Sequence, residues 1–460
     1  METGKKTTLH SAMPVPLVRK LLHRGARSHL ARIFSKAYPV DVARLFSAMG
    51  WAERLQAFSI LFEECDTEHV SSILSEMSPN DSIRLLERLN PTEIARLLSE
   101  MAADDATFLA SRLPDPLAAE VLALMEARPA AEVRELLVHE EQTAGRIMTP
   151  NYFALEEDVT VSEAISSLQR RSEDYEMVFY VYVVDKRNHL VGVVSLKKLL
   201  TTPPSIQLKR IMVPDVISAR TNADQEEVAR LVADHNLLAL PIVDDQDRLS
   251  GIVTVDDVID VLEEEAAEDL LALAGVATEE RISTSAGRSL RLRVPWLLIN
   301  LVTAFLASYV ISEFEGSISR LPSLAALMPL VAGVGGNAAT QTVTVMIRAM
   351  ALDEIANLGW VLLKTIIVGA GNGIITGIVA ATVAAIFYNS FWLGVVLASA
   401  MLINQVIAGL AGILVPVGLK KLGADPAIAS SVFVTACTDI MGFFSFLGLA
   451  TLLWNLVKTG

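Results

Sequence analysis

Between Lys364 and Lys420 the sequence has no charged side chain, and no histidine follows His235. Cysteine is nearly absent: Cys65 and Cys437 are the only two, so no intrachain disulfide is expected. There is no Gly-x-x-x-x-Gly-Lys-Ser/Thr run, which argues against an ATP-driven pump. No apolar run follows the first residues, where Lys5, Lys6, Arg19 and Lys20 stand, so no secretory signal is expected. Basic residues are also in deficit overall, 38 Lys and Arg against 53 Asp and Glu, which speaks against a nucleic-acid partner.

That deficit is unevenly placed. From Val294 to the end there are six basic and six acidic residues, so the whole net charge of −15 falls on residues 1–293. The neutral back third contains five long apolar segments, at 294–311, 323–347, 361–387, 391–417 and 427–454. Each is long enough, or nearly so, to cross ~30 Å of hydrocarbon. Five spans put the chain ends on opposite sides of the bilayer. Arg288, Arg291, Arg293, Arg348, Lys420 and Lys421 flank one side, and only Arg320 and Lys458 the other. The positive-inside rule therefore expects a cytosolic N-terminus, an external C-terminus and a cell-membrane location.

Two repeats organise the acidic front. Cys65, Met77, Leu89, Met101, Leu113 and Met125 recur every twelve residues, mostly followed by turn-type sequence such as Asn90-Pro91. Short capped helices at that spacing stack into an α-superhelix. A longer repeat follows. Ile147-Met148-Thr149-Pro150 recurs as Ile211-Met212-Val213-Pro214, and Gly192-Val193-Val194-Ser195 as Gly251-Ile252-Val253-Thr254. Each copy alternates short β-runs with helices, as small α/β units do.

This second repeat resembles a tandem pair of cystathionine-β-synthase-type (CBS) domains, a module that often binds adenine nucleotides such as ATP. In such domains a Ser/Thr with Asp three residues later holds the ribose. Thr254 and Asp257 keep that pattern, whereas Ser195-Leu196-Lys197-Lys198 has lost the carboxylate, so at most one conventional nucleotide site is supported. Further motifs lie in the back third: Gly335-Gly336-Asn337-Ala338-Ala339-Thr340-Gln341 after Met328-Pro329-Leu330, and Thr438-Asp439-Ile440-Met441-Gly442 after Leu422-Gly423-Ala424-Asp425-Pro426. With Thr143-Ala144-Gly145-Arg146 opening the first CBS copy, the whole chain resembles the MgtE family of Mg²⁺ channels. The expected divisions are a leader over 1–30, an all-α superhelical domain over 31–140 and CBS domains over 141–202 and 203–262. An acidic connecting (plug) helix over 263–290 and a membrane domain of five helices over 291–460 complete the chain. The resemblance implies a non-enzymatic homodimer in membrane lipid with its pore on the two-fold axis.

The residues support an ion path independently. Asp439 is the only ionisable residue near the middle of a span, and a carboxylate at that depth costs on the order of 3 kcal/mol. The alternative is an aspartate that caps a broken helix or bonds to nearby hydroxyls such as Thr435 and Thr438. With no imidazole available, the other donors are oxygens: Asn337, Thr340, Gln341, Asn404, Gln405 and freed backbone carbonyls. Hard divalent cations take oxygen ligands, and Mg²⁺ keeps several waters around one or two carboxylates. Gly333, Gly335 and Gly336 are expected to break the second span ahead of Asn337, and Gly335, Gly336 and Thr438 are expected along the ion pathway. Gly369, Gly373 and Gly377 read instead as a small-residue packing stripe.

Ahead of the membrane, Asp256, Asp257, Asp260, Glu263, Glu264, Glu265, Glu268 and Asp269 crowd one stretch. Alone it is a solvated charged face. Between a regulatory module and a pore, it is a candidate sensor whose compact state cations would favour. The resemblance implies Mg²⁺-sensing positions at Asp257, Asp260, Glu265, Glu268, Asp269, Asp425 and Asp105. The sequence leaves two rival functions open: an ion-coupled carrier of the same cation, and a membrane-anchored nucleotide sensor.

Overall fold

A computed structural model describes residues 15–171, 175, 178–277, 280, 284–351, 354–355, 357–423 and 426–453, with the backbone alone over 426–431. The chain divides into two compact units, residues 1–262 and 263–460.

The first unit opens with ten helices among the described residues: α1 (Val15–His23), α2 (Arg27–Phe34), α3 (Pro39–Ser47), α4 (Trp51–Glu64), α5 (Thr67–Ser75), α6 (Pro79–Leu86), α7 (Pro91–Ser99), α8 (Ala103–Ala110), α9 (Asp115–Leu124) and α10 (Ala127–Leu137). The twelve-residue period becomes one helix per repeat, since α5 to α10 begin at 67, 79, 91, 103, 115 and 127. Each repeat residue, from Cys65 to Met125, stands two positions before a helix start. Proline at the first position of α6 and α7 presets the helical φ. Asn90 caps α7 reciprocally with Glu93, both bonds 2.9 Å. Alternate helices pack together, α3 on α5 on α7 on α9 and α6 on α8 on α10, which is the expected superhelix. It starts earlier than expected. Val18, Leu22 and Leu30 lie in the same core as Phe34 and Phe46, so residues 15–30 are part of the domain rather than a leader. Val18 and Leu22, four apart, share one face of α1 and bury it.

Two matching α/β copies follow. The first holds α11 (Ala144–Ile147), β1 (Ala154–Glu156), α12 (Val161–Arg170), β2 (Tyr180–Val184), β3 (Leu190–Ser195) and α13 (Leu196–Thr201). The second holds β4 (Ala219–Arg220), α14 (Gln225–His235), β5 (Ala239–Val243), β6 (Leu249–Thr254) and the start of α15 (Val255–Leu273). In each, the first strand runs parallel to the second and the second antiparallel to the third, with Tyr180 opposite Ser195 and Ala239 opposite Thr254. The repeated motifs are exchanged between copies. A Cβ on Gly192 would lie 2.5 Å from the Met212 sulfur, and one on Gly251 2.6 Å from the Met148 sulfur. Each Ile-Met-x-Pro segment therefore packs on the glycine of the other copy, and that contact requires glycine.

The second unit contains the end of α15 and six further helices: α16 (Ala286–Glu313), α17 (Glu315–Arg320), α18 (Ser323–Ala351), α19 (Leu358–Tyr388), α20 (Phe391–Lys421) and α21 (Pro426–Leu452). Five of these, all but the short α17, are long and apolar enough to cross a membrane. The most apolar window of α20 is 56% buried against 6% for α16, which makes α20 the central helix and α16 a peripheral one. The glycine stripe of α19 packs on α20 as expected. Cβ atoms at Gly369 and Gly373 would lie 2.8 Å from the Gln405 carbonyl oxygen and 2.7 Å from the Leu402 Cα. The expected break in the second span is absent, because α18 is continuous through Gly333, Gly335 and Gly336. Gly335 serves close packing instead: a Cβ there would lie 2.1 Å from the Asn404 amide nitrogen.

Candidate functional site: ion pathway and acidic cluster

Three segments of the first unit bring carboxylates together: Glu76 at the end of α5, Asp104 and Asp105 in the first turn of α8, and Asp256, Asp257 and Asp260 on α15. A helix N-terminus tolerates negative charge, which is the local reason the Asp104-Asp105 pair can sit there. Burial pushes the Asp104 carboxyl well above the usual carboxylate range, and the charges of Asp257 and Asp105 push it further. Burial raises Asp105 as well. A hydrogen bond with Ser75 partly offsets this, and the charge of Asp260 adds to it. Asp257 is pushed up to about 6, first by burial and then by Asp256 and Asp105, against the hydrogen bond from Thr254. Burial, Asp260 and Asp105 raise Glu76, with Arg44 opposing.

Of the expected sensor residues, Asp105, Asp257 and Asp260 thus converge. Glu265, Glu268 and Asp269 lie further along α15, in the second unit, and Asp425 lies outside the described residues. Asp104 and Glu76 were not expected as members. The sequence did carry one signal, two adjacent aspartates at a helix start. Among the described residues no three acidic, histidine or cysteine side chains are already close enough to hold a metal ion. The cluster is a set of mutually repelling carboxylates that a cation would have to draw in. Thr254 and Asp257, the candidate ribose pair, are bonded to each other at 2.5 Å, so Asp257 belongs to both arrangements.

In the second unit, α18 carries Asn337, Thr340, Gln341 and Thr344, all exposed and spaced to fall on one strip. The Thr340 hydroxyl donates to the Gly336 carbonyl at 3.0 Å and the Thr344 hydroxyl to the Thr340 carbonyl at 2.9 Å. Among the described residues, Asn337 and Gln341 have no side-chain partner. Asp439 stands half-buried on α21, also without a hydrogen-bond or ion-pair partner among the described residues. The alternative of a hydroxyl-bonded carboxylate is not what forms. Thr438 is fully buried and donates to the Thr435 carbonyl at 2.9 Å, so its hydroxyl is used inside the helix and offers little to an ion path. Of the two expected glycines, Gly335 is buried against Asn404, whereas Gly336 has open space around it. The end of α15 bears on this region: Ala272 and Leu273 pack among Ala339, Val343, Ala408, Val434 and Cys437 of α18, α20 and α21.

Family models match the three parts in order: an MgtE intracellular N domain over 37–142, CBS domains over 144–204 and 208–264, and an MgtE divalent cation transporter over 328–449. The magnesium transporter MgtE of Bacillus subtilis is 32% identical over 437 residues, which cover 94% of this chain and 95% of that protein. This chain belongs to the MgtE family. The magnesium transporter MgtE of Thermus thermophilus is 38% identical over 341 residues, 73% of this chain and 75% of its own length. A crystal structure of the cytosolic domain of the Mg²⁺ channel MgtE in complex with ATP superposes with a TM-score of 0.50 at 35% identity, covering 54% of this chain and 99% of that one. MgtE membership thus spans the superhelix, the CBS pair and the membrane helices in the order the sequence implied.

Proposed function

We propose that this MgtE chain imports Mg²⁺ down its electrochemical gradient, through a pore built by two copies of the chain. The observation that carries the reading is the exposed polar strip of α18, with Asp439 on α21 unpartnered among the described residues. Amide and carboxylate oxygens are not left facing hydrocarbon, so a second protomer and an aqueous path account for them together. Two symmetry-related Asp439 carboxylates, with Asn337, Thr340 and Gln341 as neutral oxygens, suit an ion that retains most of its water. A divalent cation gains about 4.6 kcal/mol per 100 mV moving inward, twice the single-charge value, which is drive enough without ATP. No second membrane carboxylate and no histidine are there to couple the ion to protons. The orientation follows the positive-inside flanks, N-terminus in the cytoplasm and C-terminus outside.

Gating rests on the acidic residues. Asp105, Asp257 and Asp260, with Glu265, Glu268, Asp269 and Asp425, repel one another until cytosolic Mg²⁺ neutralises them. Binding then favours the compact, closed state by mass action. An adenine nucleotide at Thr254 and Asp257 would draw on the same carboxylate and so tune that response. Purified protein in liposomes loaded with a Mg²⁺ indicator tests the reading. Uptake that grows with an inward-negative potential is expected, and uptake equal to that of empty liposomes would refute it.

A further inference from the structure

Asn404, near the middle of α20, is 1% exposed, and its amide sits between the two helices that carry the candidate ligands. The amide nitrogen donates to the Val331 carbonyl of α18 at 2.9 Å. Glycines flank it on both sides: a Cβ on Gly335 would lie 2.1 Å from that nitrogen, and one on Gly442 of α21 2.7 Å from it. The next residue, Gln405, is 3% exposed and donates to the Val334 carbonyl at 3.2 Å, a second tie to α18. The oxygens of both side-chain amides are buried without a partner among the described residues. A buried acceptor left open is costly, so packing alone gives a polar residue no reason to occupy this place.

The level of this contact matters. Gly442 follows Asp439 by three residues, about 4.5 Å along α21, and Gly335 precedes Asn337 by two, about 3 Å along α18. Gly335 faces inward, whereas Asn337, about 200° further round the helix, faces the polar strip. The Asn404 amide therefore grips the back of α18 at the height where its front carries Asn337, and touches α21 one turn from Asp439. Because both faces of the wedge are glycine, the helix separation is set by the amide itself and not by intervening side chains.

We propose that Asn404, seconded by Gln405, is a positioning residue of the ion path: it fixes the spacing of α18 and α21 so that Asn337 and Asp439 address one ion. The inference rests on the proposed transport function. A change in spacing bears hardest on the ion with the strictest geometry, and Mg²⁺ is stricter than Ca²⁺. The test is uptake of Mg²⁺ and of Ca²⁺, each offered alone, by proteoliposomes of wild type, Asn404→Ala, Gly442→Ala and the double variant. The ratio of Mg²⁺ to Ca²⁺ flux should fall about fivefold in Asn404→Ala, the equivalent of one hydrogen bond. It should fall similarly in Gly442→Ala, where the new methyl displaces the amide. In the double variant the loss should be no greater than in either single. A ratio equal to wild type in both single variants would overturn the positioning role, as would losses that multiply in the double variant. Wild-type protein that carries neither ion would instead remove the transport reading, so the two failures are distinguishable.

Discussion

Asp257→Asn removes one charge from the acidic cluster, and the cluster's geometry sets the size of the effect. Its carboxyl is pushed up to about 6, well above the ordinary carboxylate range, a displacement worth on the order of 3 kcal/mol. A raised carboxylate pKa means the folded arrangement holds its proton more tightly than the separated or unfolded chain. The stabilisation is therefore full below about pH 4 and is lost as pH rises through about 6. At pH 7.5 without divalent cations the docked arrangement of α5, α8 and α15 should be weakened, and Mg²⁺ should restore it. Thermal unfolding of the full chain in detergent reads both effects. In chelator the wild-type midpoint should fall by several degrees between pH 5 and pH 7.5. Ten-millimolar-range Mg²⁺ should raise it at pH 7.5 and hardly at pH 5, where protons already neutralise the cluster. Asp257→Asn should flatten the pH dependence and shrink the Mg²⁺ increment. Equal Mg²⁺ stabilisation at the two pH values, or an unchanged profile in the variant, would mean that the cluster's charge does not govern the docking of these helices.

Other expectations are more local. Asn337→Ala should lower conductance or selectivity less than loss of Asp439 does, since an orienting oxygen goes and no charge is removed; ion flux with folding checked by gel filtration decides this. Neutralising Asp257, Glu265 and Asp269 together should abolish the Mg²⁺ dependence of open probability in excised patches, and deleting residues 1–142 should act in the same direction. An unchanged Mg²⁺ response in the triple variant would remove the sensor assignment. Gly373→Leu should separate α19 from α20, because even a Cβ there would lie 2.7 Å from the Leu402 backbone. A lowered melting temperature in detergent is expected, and an unchanged one would contradict the packing described.

The spans, the twelve-residue superhelix and the duplicated α/β unit could all be read from the sequence, because each is a periodic pattern imposed by burial. Charge-free length marks the bilayer, the twelve-residue period marks one helix per repeat, and paired motifs mark the copies. What depends on contacts between distant segments was less legible. Residues 15–30 have no repeat signature, so their place in the core emerges only from the burial of Val18, Leu22 and Leu30. Asp104 and Glu76 join the acidic cluster through the superhelix, and nothing local to Glu76 announces it. The Gly335-Gly336 pair was expected to break a helix, since glycine permits a break as well as a close approach. Sequence cannot choose between these uses until the neighbour, here Asn404, is known. Thr438 sits beside Asp439 in the chain yet is buried, because adjacent helical residues point about 100° apart.

The proposed path takes Mg²⁺ past the Asp439 carboxylates. Mg²⁺ uptake by proteoliposomes of wild type and Asp439→Ala, at equal protein density and an imposed inward-negative potential, tests that path. The variant should insert and assemble as wild type does, since Asp439 makes no hydrogen bond or ion pair among the described residues, and its uptake should fall to that of empty liposomes. Uptake near the wild-type rate would take Asp439 out of the path.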